Sequence, residues 1–116
     1  MICTTIQKED PEEVIKAVSR CEMAEIRLDS CDMGPERIQE CFSMDVPLVA
    51  TCRIASLMEK NPAMTEAAAV RTSEDRLIRA IIAGARYADV EIEAPKQMVK
   101  RVALAARENG TVLIRS

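Results

Sequence analysis

The chain has 116 residues, of which 48% are hydrophobic and 30% are charged, and its net charge is −3. This is the composition of an ordinary globular domain and not of a disordered segment. Because the chain has no clustered stripe of Lys and Arg, nucleic acid is not an expected partner. No apolar run approaches the ~20 residues that a membrane-spanning helix needs, so a membrane is not an expected partner either.

The cysteines and the missing histidines argue against a metal site. The cysteines are odd in number and lie at Cys3, Cys21, Cys31, Cys41 and Cys52. No two of them form a CxxC pair, and the chain has no histidine, whereas zinc sites are built mainly from these two residue types at short spacings. The start of the chain lacks the pattern of a signal peptide. We therefore expect reduced thiols, packed as small core residues of a cytoplasmic protein.

The first half of the chain predicts two strand–helix units. Residues 1–7 form a short β-branched run and are predicted to be a strand. Asp10-Pro11 then opens a helix, because Asp can cap it and Pro suits the first helical position. Residues 24–29, with the sequence AEIRLD, are predicted to be the second strand, and Gly34-Pro35 opens the second helix.

The pattern continues through the second half with one ambiguous stretch. Residues 47–53, PLVATCR, predict a third strand in which Pro47 is the first residue. Residues 54–72 contain helix formers that Asn61-Pro62 interrupts, so no element is assigned to them. Ser73 is predicted to begin the third helix, which ends near Gly84.

The last two strands and one helix complete the pattern. Residues 87–93, YADVEIE, predict the fourth strand, and Pro95 opens the fourth helix. Asn109-Gly110 is a typical C-terminal cap for that helix, and residues 111–116, TVLIRS, predict the fifth strand.

This βαβαβαβαβ alternation predicts an α/β fold with a parallel sheet and right-handed crossovers. Two architectures fit it. One is a doubly wound sheet of five strands. The other is the N-terminal part of a single (β/α)8 TIM barrel, which would use residues 1–116 for about five strands and four helices in sequential strand order.

Charged residues within the strands favour the barrel. Both faces of a doubly wound sheet are covered by helices, so its strands read as nearly continuous apolar runs. In the second strand, however, Glu25, Arg27 and Asp29 share one face, and burying an unpaired charge costs several kcal/mol. A barrel lumen lets such charges pair with each other and with a polar substrate. There we expect Glu25 to pair with Arg27, and Glu91 with Arg53.

The strand motifs MICTTIQ, AEIRLD, PLVATCR, GARYADVEIE and TVLIRS, in this order, resemble those of type I 3-dehydroquinate dehydratase. The resemblance spans essentially the whole chain. It implies a (β/α)8 lyase of the shikimate pathway, with 3-dehydroquinate as its small-molecule substrate and 3-dehydroshikimate as its product. The reaction it implies runs through a Schiff base between a lysine and the substrate ketone, with a histidine moving protons and with no cofactor.

The resemblance also implies roles for particular residues. Glu25 and Arg27 match the pair that contacts substrate hydroxyls, Arg53 matches the arginine that ends the third strand, and Thr4 matches a small hydroxyl residue on the first strand. Supporting roles are implied for Asp89, Glu91 and Ser116. One departure is that residues 54–60, directly after Arg53, contain no glycine, whereas the family often has a Glu-Gly-Gly stretch there.

The two catalytic residues that the resemblance implies are expected beyond Ser116. The histidine belongs just past the fifth strand in a Ser-x-His pattern, of which Ser116 would be the serine, and the lysine belongs to a sixth strand. None of the lysines present matches that position. We therefore expect no catalytic residue and no activity in the isolated chain. We also expect a homodimer or other self-association through the open edges of the partial barrel.

Other interpretations remain open for these residues. The same arginines could serve a non-catalytic module that binds small anions or partners, and such a module could have the doubly wound fold. The order of the strands in the sheet separates the two folds.

Overall fold

A computed structural model describes all of residues 1–116. The strands are β1 (Cys3–Ile6), β2 (Met23–Arg27), β3 (Leu48–Thr51), β4 (Tyr87–Val90) and β5 (Val112–Arg115). The helices are α1 (Pro11–Val18), α2 (Pro35–Phe42), α3 (Ile54–Lys60), α4 (Glu66–Ala83) and α5 (Lys96–Asn109). None of these helices is both long enough and apolar enough to span a bilayer.

All five strands form one parallel sheet in the order β1-β2-β3-β4-β5. In a doubly wound sheet the order of the strands reverses beside the first strand, and in this sheet it does not. Each strand pairs with its neighbour in sequence, which is the connectivity of a (β/α)8 barrel. The predicted α/β partial barrel is therefore confirmed, and the doubly wound alternative is wrong.

Helices cover one face of the sheet and leave the other free of them. On the covered face, Ala24 and Ile26 of β2 and Ala88 and Val90 of β4 are buried at 1% exposure or less. They join a single core cluster of 26 buried residues that includes side chains from every helix. Most of that core is aliphatic, and Phe42 is its one aromatic residue. We call the face without helices the inner face.

The register of the strands determines which side chains share the inner face. Glu25 pairs with Val49 across β2 and β3, and Arg27 pairs with Thr51 in the same ladder. Thr51 pairs in turn with Asp89 of β4. Since residues paired in a parallel ladder point to the same side, Glu25, Arg27, Thr51 and Asp89 all lie on the inner face. The charges predicted for a barrel lumen are thus collected on one surface.

The region after β3 differs from the prediction, because it holds two helices and brings the total to five. Helix α4 begins at Glu66 rather than at Ser73. Its N-cap is Thr65, whose Oγ1 accepts a hydrogen bond from the Ala68 backbone N–H at 3.1 Å. Ser73 is fully buried inside α4, and its hydroxyl donates to the Cys52 carbonyl at 2.6 Å. The serine that resembles a cap therefore ties α4 to the end of β3.

The strands are shorter than predicted at their carboxyl ends. Strand β4 ends at Val90, and Ile92, which would share the apolar face of Val90 if the strand continued, is 65% exposed. Arg53 likewise lies beyond β3, where it is the residue before α3. Arg53 and Glu91 therefore lie on the short loops that follow β3 and β4, at the edge of the sheet.

Candidate functional site

The carboxyl ends of β1 to β5 bring together a set of polar side chains. Parallel strands end at the same edge of a sheet, and in (β/α)8 barrels this edge carries the active site. We call this set the carboxyl-edge cluster; it consists of Thr5, Glu25, Arg27, Asp29, Thr51, Arg53, Asp89, Glu91 and Ser116.

Glu25 is held from two neighbouring strands. Its Oε1 accepts a hydrogen bond from the Thr5 hydroxyl at 2.9 Å, and its Oε2 accepts one from the Thr51 hydroxyl at 2.8 Å. Glu25 is partly exposed, whereas Thr51 is buried at 1% exposure. The two threonines fix the plane of the carboxylate, and each of its oxygens keeps a lone pair for a ligand.

Arg27 forms a two-point ion pair with Asp29. Its Nε and Nη2 donate to the two carboxylate oxygens at 3.1 and 2.9 Å, in the fork geometry that makes such pairs strong. The Asp29 side chain is only 1% exposed, and its Oδ1 also accepts from the Arg53 backbone N–H at 3.4 Å. The hydrogen bond to Asp29 raises the pKa of Arg27 above its ordinary value, so Arg27 is a permanent cation.

Arg53, Asp89 and Ser116 form a closed triangle. The Arg53 Nη2 donates to Asp89 Oδ2 at 3.2 Å and to the Ser116 Oγ at 2.9 Å. The Ser116 hydroxyl donates to Asp89 Oδ1 at 2.6 Å. Because only Nη2 makes these contacts, the other N–H groups of Arg53 remain for a ligand, and its side chain is 32% exposed.

Glu91 lies at the same edge of the sheet, and its side chain contacts the start of α3. Its Oε2 accepts a hydrogen bond from the Ile54 backbone N–H at 3.0 Å, at the start of α3. That N–H is one of the donors that the first turn of a helix leaves without an internal partner. Glu91 therefore helps to hold the segment that follows Arg53.

Both expected ion pairs are wrong. Arg27 pairs with Asp29 and not with Glu25, whose carboxylate accepts hydrogen bonds from the two threonines. Arg53 pairs with Asp89 and not with Glu91. The partner of Arg27 lies two residues further along the same chain segment, and the partner of Arg53 is the β4 residue that pairs in the ladder with Thr51.

Thr4 is the one candidate residue that lies away from the cluster. It pairs in register with Ala24, which is on the helix-covered face, whereas Thr5 pairs with Glu25 on the inner face. The residue of the TT dipeptide that contacts the site is therefore Thr5. Alternation within one strand shows which of its residues share a face. It does not show how that strand is aligned with its neighbour, so the sequence alone could not identify Thr5 as the residue beside Glu25.

Sequence reasoning also missed the structural importance of Thr51 and Asp29. Alternation along residues 47–53 puts Thr51 on the same face as Arg53, which is a usable signal that Thr51 can contact Glu25. Asp29 shares one face with Arg27 in the sequence pattern, and the spacing of two residues is a usable signal for their pairing.

The cluster carries four carboxylates and two guanidiniums. It contains no lysine, the chain has no histidine, and no group of three His, Cys, Asp or Glu side chains is arranged to hold a metal ion. Every buried side-chain nitrogen and oxygen has a hydrogen-bond partner. Such a surface can bind and orient a molecule with several hydroxyls through directional hydrogen bonds, but it offers no amine nucleophile.

Comparison with known proteins agrees with this architecture. The model of the family described as type I 3-dehydroquinase matches residues 2–116. A solved structure described as "Dehydroquinate dehydratase and shikimate dehydrogenase from S. pombe AroM" is similar over 97% of this chain, with a TM-score of 0.64 and 17% sequence identity. That identity supports a shared fold only, and the chain spans 23% of that protein. No curated protein sequence matches the chain. With nearly its whole length matched by the family model, the chain belongs to the type I 3-dehydroquinase family.

Proposed function

We propose that residues 1–116 form the substrate-holding part of a 3-dehydroquinate dehydratase site and do not complete the reaction by themselves. The observation that supports this most strongly is the convergence of Glu25, Arg27 and Arg53 at one sheet edge. These are three of the four residues to which the family resemblance gives a role in binding the substrate, the fourth being Thr4. Membership of the family supports the reaction type, a dehydration that removes water from a hydroxylated cyclic ketone.

The proposed contacts follow from the hydrogen-bonding capacity that the cluster leaves unused. Glu25 accepts hydrogen bonds from substrate hydroxyls with the lone pairs that Thr5 and Thr51 do not occupy. Arg27 and Arg53 donate their remaining N–H groups to hydroxyl or carboxylate oxygens of the substrate. In this proposal Thr5 takes the place that the resemblance gave to Thr4, because Thr5 is the residue beside Glu25.

Asp89, Glu91 and Ser116 are proposed to act by positioning the arginine and its loop. Asp89 and Ser116 hold the Arg53 guanidinium, and Glu91 holds the start of α3 directly after it. A guanidinium that is already oriented loses less conformational entropy when it binds a ligand. These residues should therefore affect affinity through the placement of Arg53.

The proposed inactivity rests on which groups the cluster lacks. Formation of an imine needs a lysine amine at the substrate ketone, and the proton transfers need a group such as histidine. The lysines of the chain, all solvent-exposed and outside the cluster, are Lys8, Lys16, Lys60, Lys96 and Lys100. We therefore propose that the imine-forming lysine and the histidine must be supplied by polypeptide other than these 116 residues.

Borohydride trapping tests this directly. The 116-residue protein is incubated with 3-dehydroquinate, reduced with borohydride and analysed by intact mass spectrometry. We expect no covalent adduct, because no lysine faces the bound ketone. A stoichiometric adduct that maps to a single lysine would contradict the proposed inactivity, while the proposed binding contacts would still stand.

A second candidate function is ligand binding without catalysis. It is favoured by one observation, the lack of any histidine in a chain whose cluster nevertheless has free hydrogen-bonding groups. Mixing the protein with a separate polypeptide that carries the lysine and histidine strands of a type I 3-dehydroquinase separates the two functions. Recovered turnover that depends on Glu25 supports the enzyme, and binding with no recovery supports the non-catalytic module.

A further inference from the structure

A second polar surface lies on the helical side of the sheet. A cavity of about 430 Å³ is lined by the first turn of α2 and by one face of α4. A second cavity of about 300 Å³ adjoins it and extends to the connection between α3 and α4. The two cavities share Asp32, Thr72 and Arg76. We call the pair the α2–α4 groove.

The groove has an excess of positive charge. Arg71 lines the first cavity and Lys60 lines the second, and neither forms an ion pair with a carboxylate. The carboxylates along the groove are already neutralised by arginines, in the pairs Asp29–Arg27, Asp32–Arg76 and Asp75–Arg79. Two unpaired cations therefore remain, and they attract an anion.

Arg76 gives the groove a fixed guanidinium where the two cavities meet. Its side chain is 17% exposed, and its Nη1 donates to the Leu28 carbonyl at 2.6 Å. Its Nη2 donates to Asp32 at 3.2 Å, but the Asp32 side chain is 93% exposed, so water screens that pair. An anion in the groove can replace Asp32 without moving the arginine, because the Leu28 carbonyl still holds it.

The N-terminus of α2 adds a weaker positive electrostatic potential to the groove. The N-cap of α2 is Gly34, which has no side chain to cap the helix, and both Gly34 and Pro35 line the first cavity. The positive end of the helix dipole therefore faces the groove. On its own this would not define a site, but it acts together with the unpaired cations.

We propose that the α2–α4 groove binds a small polyanion carrying at least two phosphate or carboxylate groups. Its size is within the ~300–1,000 Å³ of pockets that hold small ligands. Arg76 supplies a two-point donor for one anionic group, and Arg71 and Lys60 supply charge for the others. This site is separate from the proposed substrate contacts, although Asp29 lines both the groove and the carboxyl-edge cluster.

Calorimetric titration of the 116-residue protein with pyrophosphate at low ionic strength tests the proposal. We expect saturable millimolar or tighter binding, which the substitution Arg71→Ala weakens about tenfold, because one charge-assisted hydrogen bond is lost. Arg107→Ala is the matched control, since Arg107 is also an exposed helical arginine without an ion pair. That variant should bind pyrophosphate as the parent does. Both substitutions are on the surface and leave the core intact.

A parallel titration with citrate distinguishes the two ligand chemistries. Tighter binding of pyrophosphate identifies a phosphate site and tighter binding of citrate a carboxylate site, and either result supports the proposal if Arg71→Ala weakens it. Equal weakening by Arg71→Ala and Arg107→Ala, or no saturable binding of either anion, would overturn it. Glu25→Gln should leave pyrophosphate binding unchanged, so failure here is distinguishable from failure of the proposed substrate site.

Discussion

Glu25 and Asp29 lie four residues apart, yet they serve different purposes. Glu25 is partly exposed and accepts hydrogen bonds from two neutral hydroxyls, so its charge remains available to a ligand. Asp29 is almost completely buried. It forms an ion pair with Arg27 and accepts a hydrogen bond from the Arg53 backbone N–H. The site thus combines a carboxylate that can bind with one that fixes the arginines in place.

Asp29 should therefore matter for stability more than its size suggests. Asp29→Asn removes a buried charge whose partner, the Arg27 guanidinium, is 20% exposed, and we expect the free energy of unfolding to fall by about 2 kcal/mol. Asp32→Asn is the control, because the Asp32 side chain is 93% exposed and its pair with Arg76 should contribute about 1 kcal/mol or less. Urea unfolding measures both. Equal losses would show that Asp29 is not a special partner.

The buried thiols should make the protein less stable at alkaline pH. Burial raises the pKa of Cys41 and of Cys52 from the ordinary 9.0 to about 12. Above pH 9 the unfolded chain releases these protons while the folded chain keeps them, so the unfolded state binds fewer protons and stability falls as pH rises. Each thiol contributes as much as about 1.4 kcal/mol per pH unit between its two pKa values.

Urea unfolding at pH 8 and pH 10 measures this effect. We expect the parent to lose stability over that interval, and the double variant Cys41→Ala and Cys52→Ala to lose clearly less. The comparison of slopes removes the contribution of other groups that titrate in the same range. Identical slopes in the two proteins would mean that the thiols are accessible in the folded state.

At the residue scale, the sequence predicts faces better than partners. Alternation placed Glu25, Arg27 and Asp29 on one face, and the structure has them there. The partner of Arg27 was wrong because pairing depends on rotamers and on neighbouring strands, and Thr5 and Thr51 donate to Glu25 from both sides. Thr5 takes the position that the resemblance implies for Thr4 for a related reason, since the register between β1 and β2 arises only when the sheet forms.

Among the elements, α4 departs most from what its sequence indicates. Ser73-Glu74-Asp75 has the composition of a helix start, but α4 begins two turns earlier at Glu66, with Thr65 as its cap. Local composition cannot separate these alternatives, because either residue can cap a helix. Ala69 and Ser73 are both fully buried, and the hydrogen bond from the Ser73 hydroxyl to the Cys52 carbonyl holds the helix against the end of β3. Asn61-Pro62 was a reliable signal, and α3 ends directly before it.

The end of α4 depends on a glycine. Gly84 has a φ of +127°, and a Cβ at this position would lie 2.8 Å from the Phe42 carbonyl oxygen. We expect Gly84→Ala to lower the free energy of unfolding by about 3 kcal/mol, through backbone strain and the clash with α2. Gly110 is the matched control, because it also has a positive φ of +72° but has no atom within 4 Å of an added Cβ.

Gly110→Ala should cost only about 1 kcal/mol, the intrinsic price of the left-handed conformation. Thermal or urea unfolding of the two variants measures the difference. Equal losses of unfolding free energy in the two variants would show that the end of α2 can move away from an added methyl group at residue 84.

For the whole molecule, the open edges of the sheet are the main liability. Strands β1 and β5 each have a neighbour on one side only, and Val112 and Ile114 of β5 are 52% and 37% exposed on the inner face. Unpaired strand edges with apolar side chains favour association. We propose that the 116-residue protein self-associates through these edges, and expect its sedimentation coefficient to rise with concentration.

Val112→Lys should reduce this association, because a charge at a strand edge opposes pairing with another strand. Leu104→Lys is the control, since Leu104 is 51% exposed but lies on α5 rather than on the sheet. Sedimentation velocity over a range of concentrations compares the two variants. If Leu104→Lys reduces association as much as Val112→Lys does, the edges are not the contact.

The strand order is the property of the whole molecule that was predictable from the sequence. Charges that share one face of a strand, such as Glu25 and Arg27 of β2, are incompatible with two helical layers, and this favours the barrel from the sequence alone. The α2–α4 groove was not predictable in this way, because Lys60, Arg71 and Arg76 become neighbours only through the packing of α4 on α2 and α3.

Amide chemical shifts of the 15N-labelled protein, measured during a titration with 3-dehydroquinate, test the central claim most directly. We expect saturable shifts at residues around the carboxyl ends of β2, β3 and β4, with Arg27, Arg53 and their neighbours most affected. Glu25→Gln should weaken this binding about tenfold, because it removes a charged acceptor. Shifts confined to the helical surface, or binding that is unchanged in Glu25→Gln, would contradict the claim that the inner face holds the substrate.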